Sequence, residues 1–434
     1  MGEGDRVRGA RRGDRVWPLR PDRDPFYRTP GGFERLEPGA LLRSREVELA
    51  MFGVVPLRVS AWQLLYRSVD LHGAPEVAVT TVLLPRGANP ARPRPLVSYQ
   101  CAIDAIAPQC FPSYALRRGA RALGAVPQLE VPLITAALAR GWAVSVPDHG
   151  GLGGHFGVPR EPGYRALDGI RAALGFGPLG LNSRTPVALW GYSGGGLATA
   201  WAAELAAGYA PELRIVGAVA GSPVGDPGAA FVRLNGTPFA GFAMVFLAGL
   251  RRAYPRLDAI LLAHLRPSYL ELLAKAEVTP TLPLLARLAG RDVDRHCEPG
   301  LAALLDLPDM REVIADIRPG DLAPAMPMLV LQGVNDEVIA VADVDELVRR
   351  YLRAGARVRY VRDRLSTHLP LQFIGIRAMA DWIGDRFAGI PAPEGTDTVW
   401  SVVASRRAVR EPGRRLRPGA RIPTRRQRAY QPWG

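Results

Sequence analysis

Lysine is nearly missing from this chain: Lys275 stands alone among 55 basic residues, all the others being arginine. Also missing is any run of the roughly 20 apolar residues that a membrane-spanning helix needs. The longest candidate, FAGFAMVFLAGL from Phe239 to Leu250, is too short and reads as a buried or substrate-facing helix. Only three cysteines occur, Cys101, Cys110 and Cys297, enough for one disulfide with one thiol left over. The first 24 residues are charged throughout and contain no apolar h-region, so no secretory signal is expected from them. Histidine is scarce as well, at six positions, which narrows the choice of any imidazole base.

What is present is a 434-residue chain, 48% hydrophobic, long enough for one large domain with an insertion or tails. Its net charge of +14 is unevenly placed. From Arg406 to Gly434 ten arginines face one acid, Glu411, so that segment carries +9 and the remainder only +5. The tail is the basic object. Charge of that kind suits an anionic membrane or nucleic acid, so a binding protein is one reading to weigh.

Along the chain, VPLRVSAWQLLYRSVD and EVAVTTVLLP alternate apolar and polar residues and read as antiparallel strands. PRPLVSYQ, GWAVSVPD, TPVALWG, LRIVGAVAGSP and MPMLVLQG are short apolar runs ending in turn residues, with helical patterns such as QLEVPLITAALAR and GYRALDGIRAALGF between them. Buried strands alternating with helices predict an α/β fold with a mostly parallel sheet covered on both faces. The rhythm stops from 226 to 324, where helical patterns follow one another without a strand. The expected organisation is therefore a disordered basic segment at 1–24, a core at 25–225, a helical cap inserted at 226–324, the rest of the core at 325–393, and a disordered Arg-rich tail at 394–434.

Gly191-Tyr192-Ser193-Gly194-Gly195 fits G-x-S-x-G, a weak pattern until its context is added. The context is a strand, TPVALW, before the serine and a helix, GLATAWAAELAAGYA, after it. That turn lifts a serine hydroxyl above the sheet edge, and glycines two before and two after relieve its crowding. A serine hydroxyl needs a base to take its proton and the base needs an orienting carboxylate. In this architecture they follow in the order Ser, acid, His, each after a strand. His368 follows the late strand RVRYVRD and precedes a closing helix at about 370–387, while Asp336 lies just past MPMLVLQG, with Glu337 as the adjacent competitor. One oxyanion donor would be the amide of Gly194, and the other would come from the loop LVSYQCAIDA, whose amides the pattern does not distinguish. The PDHGGLGGHFG stretch has no lysine for a P-loop and follows no dinucleotide pattern, and its two histidines make weak ligands, so the loop is expected to be structural, near the floor of the site. No metal and no cofactor are expected.

The segments SYQCAIDA…CFPSY, GYSGGGLATAW, YAPELRIVGAVAGSPV, LNGTPFAGFA and STHLPLQFIG together resemble the secretory lipase family over roughly Asp24 to Pro393. That resemblance implies an α/β-hydrolase fold with a helical cap and hydrolysis of carboxylic esters, commonly triacylglycerols. It implies Ser193 as nucleophile, Asp336 as acid, His368 as base, and the amides of Gly194 and Asp104 as the oxyanion pair. It also implies a Cys110–Cys297 disulfide stapling cap to core, and secretion; without a visible signal, the compartment stays open between secreted and cytoplasmic. Phe239, Phe242 and Phe246 in the cap are the candidate acyl-binding residues. The readings left standing are an ester hydrolase acting on lipid esters, an acyltransferase or short-chain esterase using the same three residues, and a basic-tailed binding protein.

Overall fold

The computed structural model describes residues 17–413. Among them the strands are β1 (Leu41–Glu46), β2 (Ala50–Met51), β3 (Val55–Pro56), β4 (Val59–Val69), β5 (Pro75–Pro85), β6 (Leu96–Gln100), β7 (Ala143–Pro147), β8 (Val187–Tyr192), β9 (Ile215–Gly221), β10 (Met328–Gly333), β11 (Val358–Asp363) and β12 (Gly395–Val399). All but β2 and β3 join one ten-stranded sheet in the order β1-β4-β5-β7-β6-β8-β9-β10-β11-β12. The β1–β4, β4–β5 and β5–β7 pairs are antiparallel and the remaining pairs parallel.

Helices α1 (Pro112–Ala115), α2 (Val131–Leu138), α3 (Glu161–Gly175) and α4 (Gly194–Tyr209) precede β9. Between β9 and β10 lie α5 (Pro227–Leu234), α6 (Ala240–Ala253), α7 (Pro255–His264), α8 (Pro267–Ala276), α9 (Thr281–Leu288), α10 (Leu301–Leu305) and α11 (Pro308–Asp316). After β10 come α12 (Val341–Arg353), α13 (His368–Ile374), α14 (Ile376–Phe387) and α15 (Arg406–Arg410).

The central strands are apolar on both sides because both faces are covered. Val97, Tyr99, Ala188, Trp190, Leu329 and Leu331 share a core with α2 and α14. Their alternating neighbours Leu96, Val187, Leu189, Met328 and Val330 pack with α3, α4 and α12 on the opposite face. The cap keeps a third core of its own, centred on Met244, Val245 and Leu247 of α6, to which the main domain lends Ile106 and Val158.

Both chain ends correct the expected boundaries. Residues 17–24 are ordered: buried Asp24 receives Arg45 at 2.7 Å and Arg117 at 3.6 Å, and the Arg121 guanidinium sits 4.7 Å from the Trp17 ring centroid. The tail does not begin at 394 either. β12 extends the sheet in parallel with β11, buried Arg359 meets Asp397 at 2.7 Å, and Val402 and Val409 are packed inside. Arginines found here are partners of buried or half-buried acids, which composition alone does not reveal. Of the predicted disordered ends, 1–16 and 414–434 lie outside the described residues. The closing helix differs too, beginning at His368 and broken at Gly375, where a Cβ would stand 2.8 Å from both Leu331 Cδ2 and the Leu371 carbonyl.

Candidate active site

Ser193 sits between β8 and α4 with φ 54° and ψ −122°, a conformation that costs an L-residue about 1–3 kcal/mol. The turn is held by the Ser193 amide donating to the Gly221 carbonyl at 2.9 Å. It closes only because its neighbours lack side chains: a Cβ on Gly191 would lie 2.1 Å from the Gly195 carbonyl, and one on Gly195 2.0 Å from that of Gln100. The strain therefore belongs to the turn that presents the hydroxyl.

The Ser193 Oγ lies 2.9 Å from His368 Nε2, and His368 Nδ1 lies 2.8 Å from Asp336 Oδ2. Asp336 is fixed from behind: its Oδ1 accepts the Val338 and Ile339 amides at 3.0 and 2.7 Å, and its Oδ2 accepts Gln332 Nε2 at 3.2 Å. Glu337, the competing acid, instead accepts the backbone amide of His368 at 2.9 Å and so anchors the start of α13. Tyr192 adds a second anchor, its hydroxyl donating to the His368 carbonyl at 2.6 Å and receiving Ser222 Oγ at 2.9 Å. Three residues far apart in the chain thus form one relay of hydrogen bonds.

Gly194 opens α4, so its amide has no helical acceptor. Asp104, on the loop after β6, has φ 44° and touches the same spot, since a Cβ on Gly194 would come within 2.4 Å of its Oδ1. Neither amide makes a hydrogen bond among the described residues. Burial pushes the Asp104 carboxyl up to about 6, with His368 opposing the rise. The Asp104 carbonyl is held by Thr281 Oγ1 of α9 at 3.0 Å, which ties the loop to the cap.

A small cavity of about 50 Å³ opens beside Ser193 and Gly194, walled by Phe156, Phe231, Phe242 and Phe246. A larger one of about 210 Å³ lies inside the cap, lined by apolar groups, and Phe231 and Phe246 are walls of both.

A family profile described as secretory lipase matches residues 116–395. The chain belongs to the secretory lipase family. A Mycobacterium tuberculosis protein named probable inactive lipase is 48% identical over 390 residues, covering 90% of this chain and 87% of its own. Lipase A of Arthroderma benhamiae is 36% identical, covering 88% of this chain and 82% of its own. A trichothecene C-3 esterase of Fusarium sporotrichioides is 33% identical, covering 86% and 85%. The solved structure of Candida antarctica lipase A superposes with a TM-score of 0.79 at 27% identity, over 91% of this chain and 98% of that one. The fold is accordingly that of the α/β-hydrolase lipases and esterases.

Against that family background two expectations change. Cys110 and Cys297 are free thiols, as is Cys101. Cys110 packs in the core beneath the sheet and Cys297 in the separate core of the cap. Burial pushes the Cys110 thiol up to about 12, which leaves it unreactive. Phe239 is the second change: it stands at the entry of α6 and stacks on Phe242 with centroids 6.5 Å apart but walls neither cavity.

The glycine loop after β7 lies at the site, and both of its histidines are engaged within the protein. His149 donates through Nε2–H to the Cys101 carbonyl at 2.6 Å, burial lowering its pKa to about 4, and His155 Nδ1 meets Glu161 at 2.8 Å. Among the described residues no group of side chains is arranged to bind a metal ion. The loop's contribution is Phe156, whose ring meets Phe246 edge-on at 6.2 Å; Gly157 allows this, since a Cβ there would collide with the Phe246 ring at 2.3 Å. Sequence reasoning missed Phe156, Phe231, Tyr192 and Gln332. Tyr192 carries the only available signal, a polar-tipped ring directly before the serine, and it reads equally well as core.

Proposed function

We propose that the protein is a serine carboxylic-ester hydrolase acting on lipid esters, with triacylglycerols as the favoured class. The observation that carries this reading is the relay Ser193–His368–Asp336, at 2.9 and 2.8 Å, aimed into an aromatic-walled cavity. His368 Nε2 takes the Ser193 proton as Oγ attacks the ester carbonyl carbon, and Asp336 stabilises the imidazolium that forms. The oxygen that gains charge is met by the amides of Gly194 and Asp104, each such donor being worth roughly 10²- to 10³-fold in turnover. His368 then returns the proton to the departing alcohol, leaving the acyl group on Ser193. Water, deprotonated by the same imidazole, attacks the acyl carbonyl, and the acid leaves as Ser193 regains its proton.

The preference for lipid esters rests on the two cavities. An acyl chain in the serine pocket would lie against Phe231 and Phe246, the walls that pocket shares with an apolar space of about 210 Å³ inside the cap. One relative bears the name probable inactive lipase, but this chain has serine, imidazole and carboxylate in hydrogen-bonded order, which favours an active enzyme. Residues 414–434 hold seven arginines and no acid, and suit contact with an anionic lipid surface.

The test is hydrolysis of p-nitrophenyl esters from acetyl to palmitoyl by the wild type and Ser193→Ala. Turnover lost in the variant, with long chains preferred in the wild type, is the expected result. Short-chain preference would replace lipase with general esterase, and no turnover on any ester would overturn the hydrolase reading. Removing 414–434 is expected to weaken sedimentation with anionic vesicles while ester turnover persists.

A further inference from the structure

The loop that carries Asp104 and the helix that carries His368 meet at a buried side chain outside the reacting groups. Glu130, fully buried at the entry of α2, accepts the Ala102 amide through Oε2 at 2.8 Å. Its Oε1 accepts Gln372 Nε2 at 2.8 Å and the Tyr99 hydroxyl at 3.1 Å. Ala102 is two residues before Asp104, and Gln372 is one helical turn after His368 on the same face of α13.

We propose that Glu130 is a positioning residue, whose two carboxyl oxygens set the spacing between the oxyanion amide of Asp104 and the imidazole of His368. This rests on the reading of the site as a serine esterase. Asp104 occupies a backbone region with φ 44° that an L-residue holds only when its surroundings over-determine it. The surroundings are three. Glu130 takes the Ala102 N–H, His149 contacts the Cys101 carbonyl at 2.6 Å, and Thr281 takes the Asp104 carbonyl at 3.0 Å. Only Glu130 also reaches α13. A carboxyl group buried this deeply is costly to bury as an ion. Burial indeed pushes Glu130 up to about 8, despite donors from Cys101, Tyr99 and the Ala102 amide. An apolar side chain would fill the space without that cost but would leave the Ala102 N–H and the Gln372 amide unpaired.

The experiment compares Glu130→Leu with Glu130→Gln. Leucine removes both ties, whereas a glutamine keeps them: its oxygen accepts from Ala102 and its amide donates to the Gln372 oxygen once that side-chain amide turns over. Glu130→Leu is expected to lower kcat about tenfold with KM unchanged, and Glu130→Gln to stay within about threefold of wild type. Amide exchange read on peptides spanning 99–107 and 368–375 is expected to quicken in Glu130→Leu and to stay close to wild type in Glu130→Gln, an outcome that does not depend on ester turnover. Unchanged kcat and unchanged exchange in Glu130→Leu would overturn the proposal. So would a loss of kcat in Glu130→Gln as large as that in Glu130→Leu. An inactive wild type would instead break the esterase reading, while the amide-exchange data would still decide whether the tie exists.

Discussion

The main domain and its cap bury polar groups in opposite ways. Beneath and around the sheet, carboxyls are buried at Asp104, Glu130, Asp148 and Glu204, and burial pushes them up to about 6, 8, 7 and 7. The cap's acids stay near its surface and are neutralised by arginines, as in Asp316 with Arg160 at 2.6 Å, Asp258 with Arg251 at 2.6 Å and Glu277 with Arg252 at 2.7 Å. Its interior is apolar and contains the 210 Å³ void. The main domain thus spends folding energy on holding directional groups in place, whereas the cap offers shape and hydrophobicity. On the proposed function, chemistry and chain selection would be divided between the two regions.

That division is open to attack, most severely at Asp336. Asp336→Asn is expected to reduce kcat roughly 10⁴-fold by presenting the wrong group to His368 Nδ1 while leaving the fold intact. Leu304→Ala, which enlarges the cap cavity, should leave acetyl-ester turnover where it was. Steady-state kinetics on both variants check this, and a comparable loss in Leu304→Ala would abolish the division. Next in size, Gly194→Ala places a methyl 2.4 Å from the Asp104 carboxyl oxygen. It should lower kcat about 10²-fold by pushing the oxyanion amides apart, again without altering the ratio between chain lengths.

The cap side is sharpened by Phe246→Ala, which merges the two cavities. The palmitoyl-to-acetyl ratio of kcat/KM should change several-fold, on the order of 1 kcal/mol, with the acetyl ester hardly affected. A uniform change across chain lengths would mean that Phe246 supports the site and does not select the chain. The smallest effect concerns stability. Asp148 is held by the Ser113 amide at 2.8 Å and by its hydroxyl, but burial dominates and raises its pKa to about 7. A carboxyl raised in the fold favours the folded state at low pH, and that contribution fades as pH climbs from about 4 to about 7. Asp148→Asn does not titrate, so its urea midpoint should fall less steeply with pH across this window than that of the wild type. Parallel slopes would refute the assignment.

Much of the site was legible in the chain. The strand-turn-helix around Ser193, the scarcity of histidine and the positions of Asp336 and His368 after late strands are local signals, and each survives in the structure as one link of the relay. The choice between Asp336 and Glu337 was not local. It depended on Oδ1 of Asp336 finding two backbone amides while Glu337 turned to the start of α13. β12 escaped notice because its segment, GTDTV, is short and half-polar, and is stabilised by pairing with β11 and by an arginine 38 residues away.

The alternation of strands and helices, the tight turn at Ser193 and the interruption by a helical cap are written locally in the chain, since all three follow from periodicity and glycine placement within a few residues. Tertiary packing alone settles which aromatics wall the serine pocket, that Cys110 and Cys297 lie in separate cores, and that Glu130 ties the Asp104 loop to helix α13. Those outcomes depend on how side chains separated by tens to hundreds of residues pack against one another, and no local pattern encodes such long-range contacts.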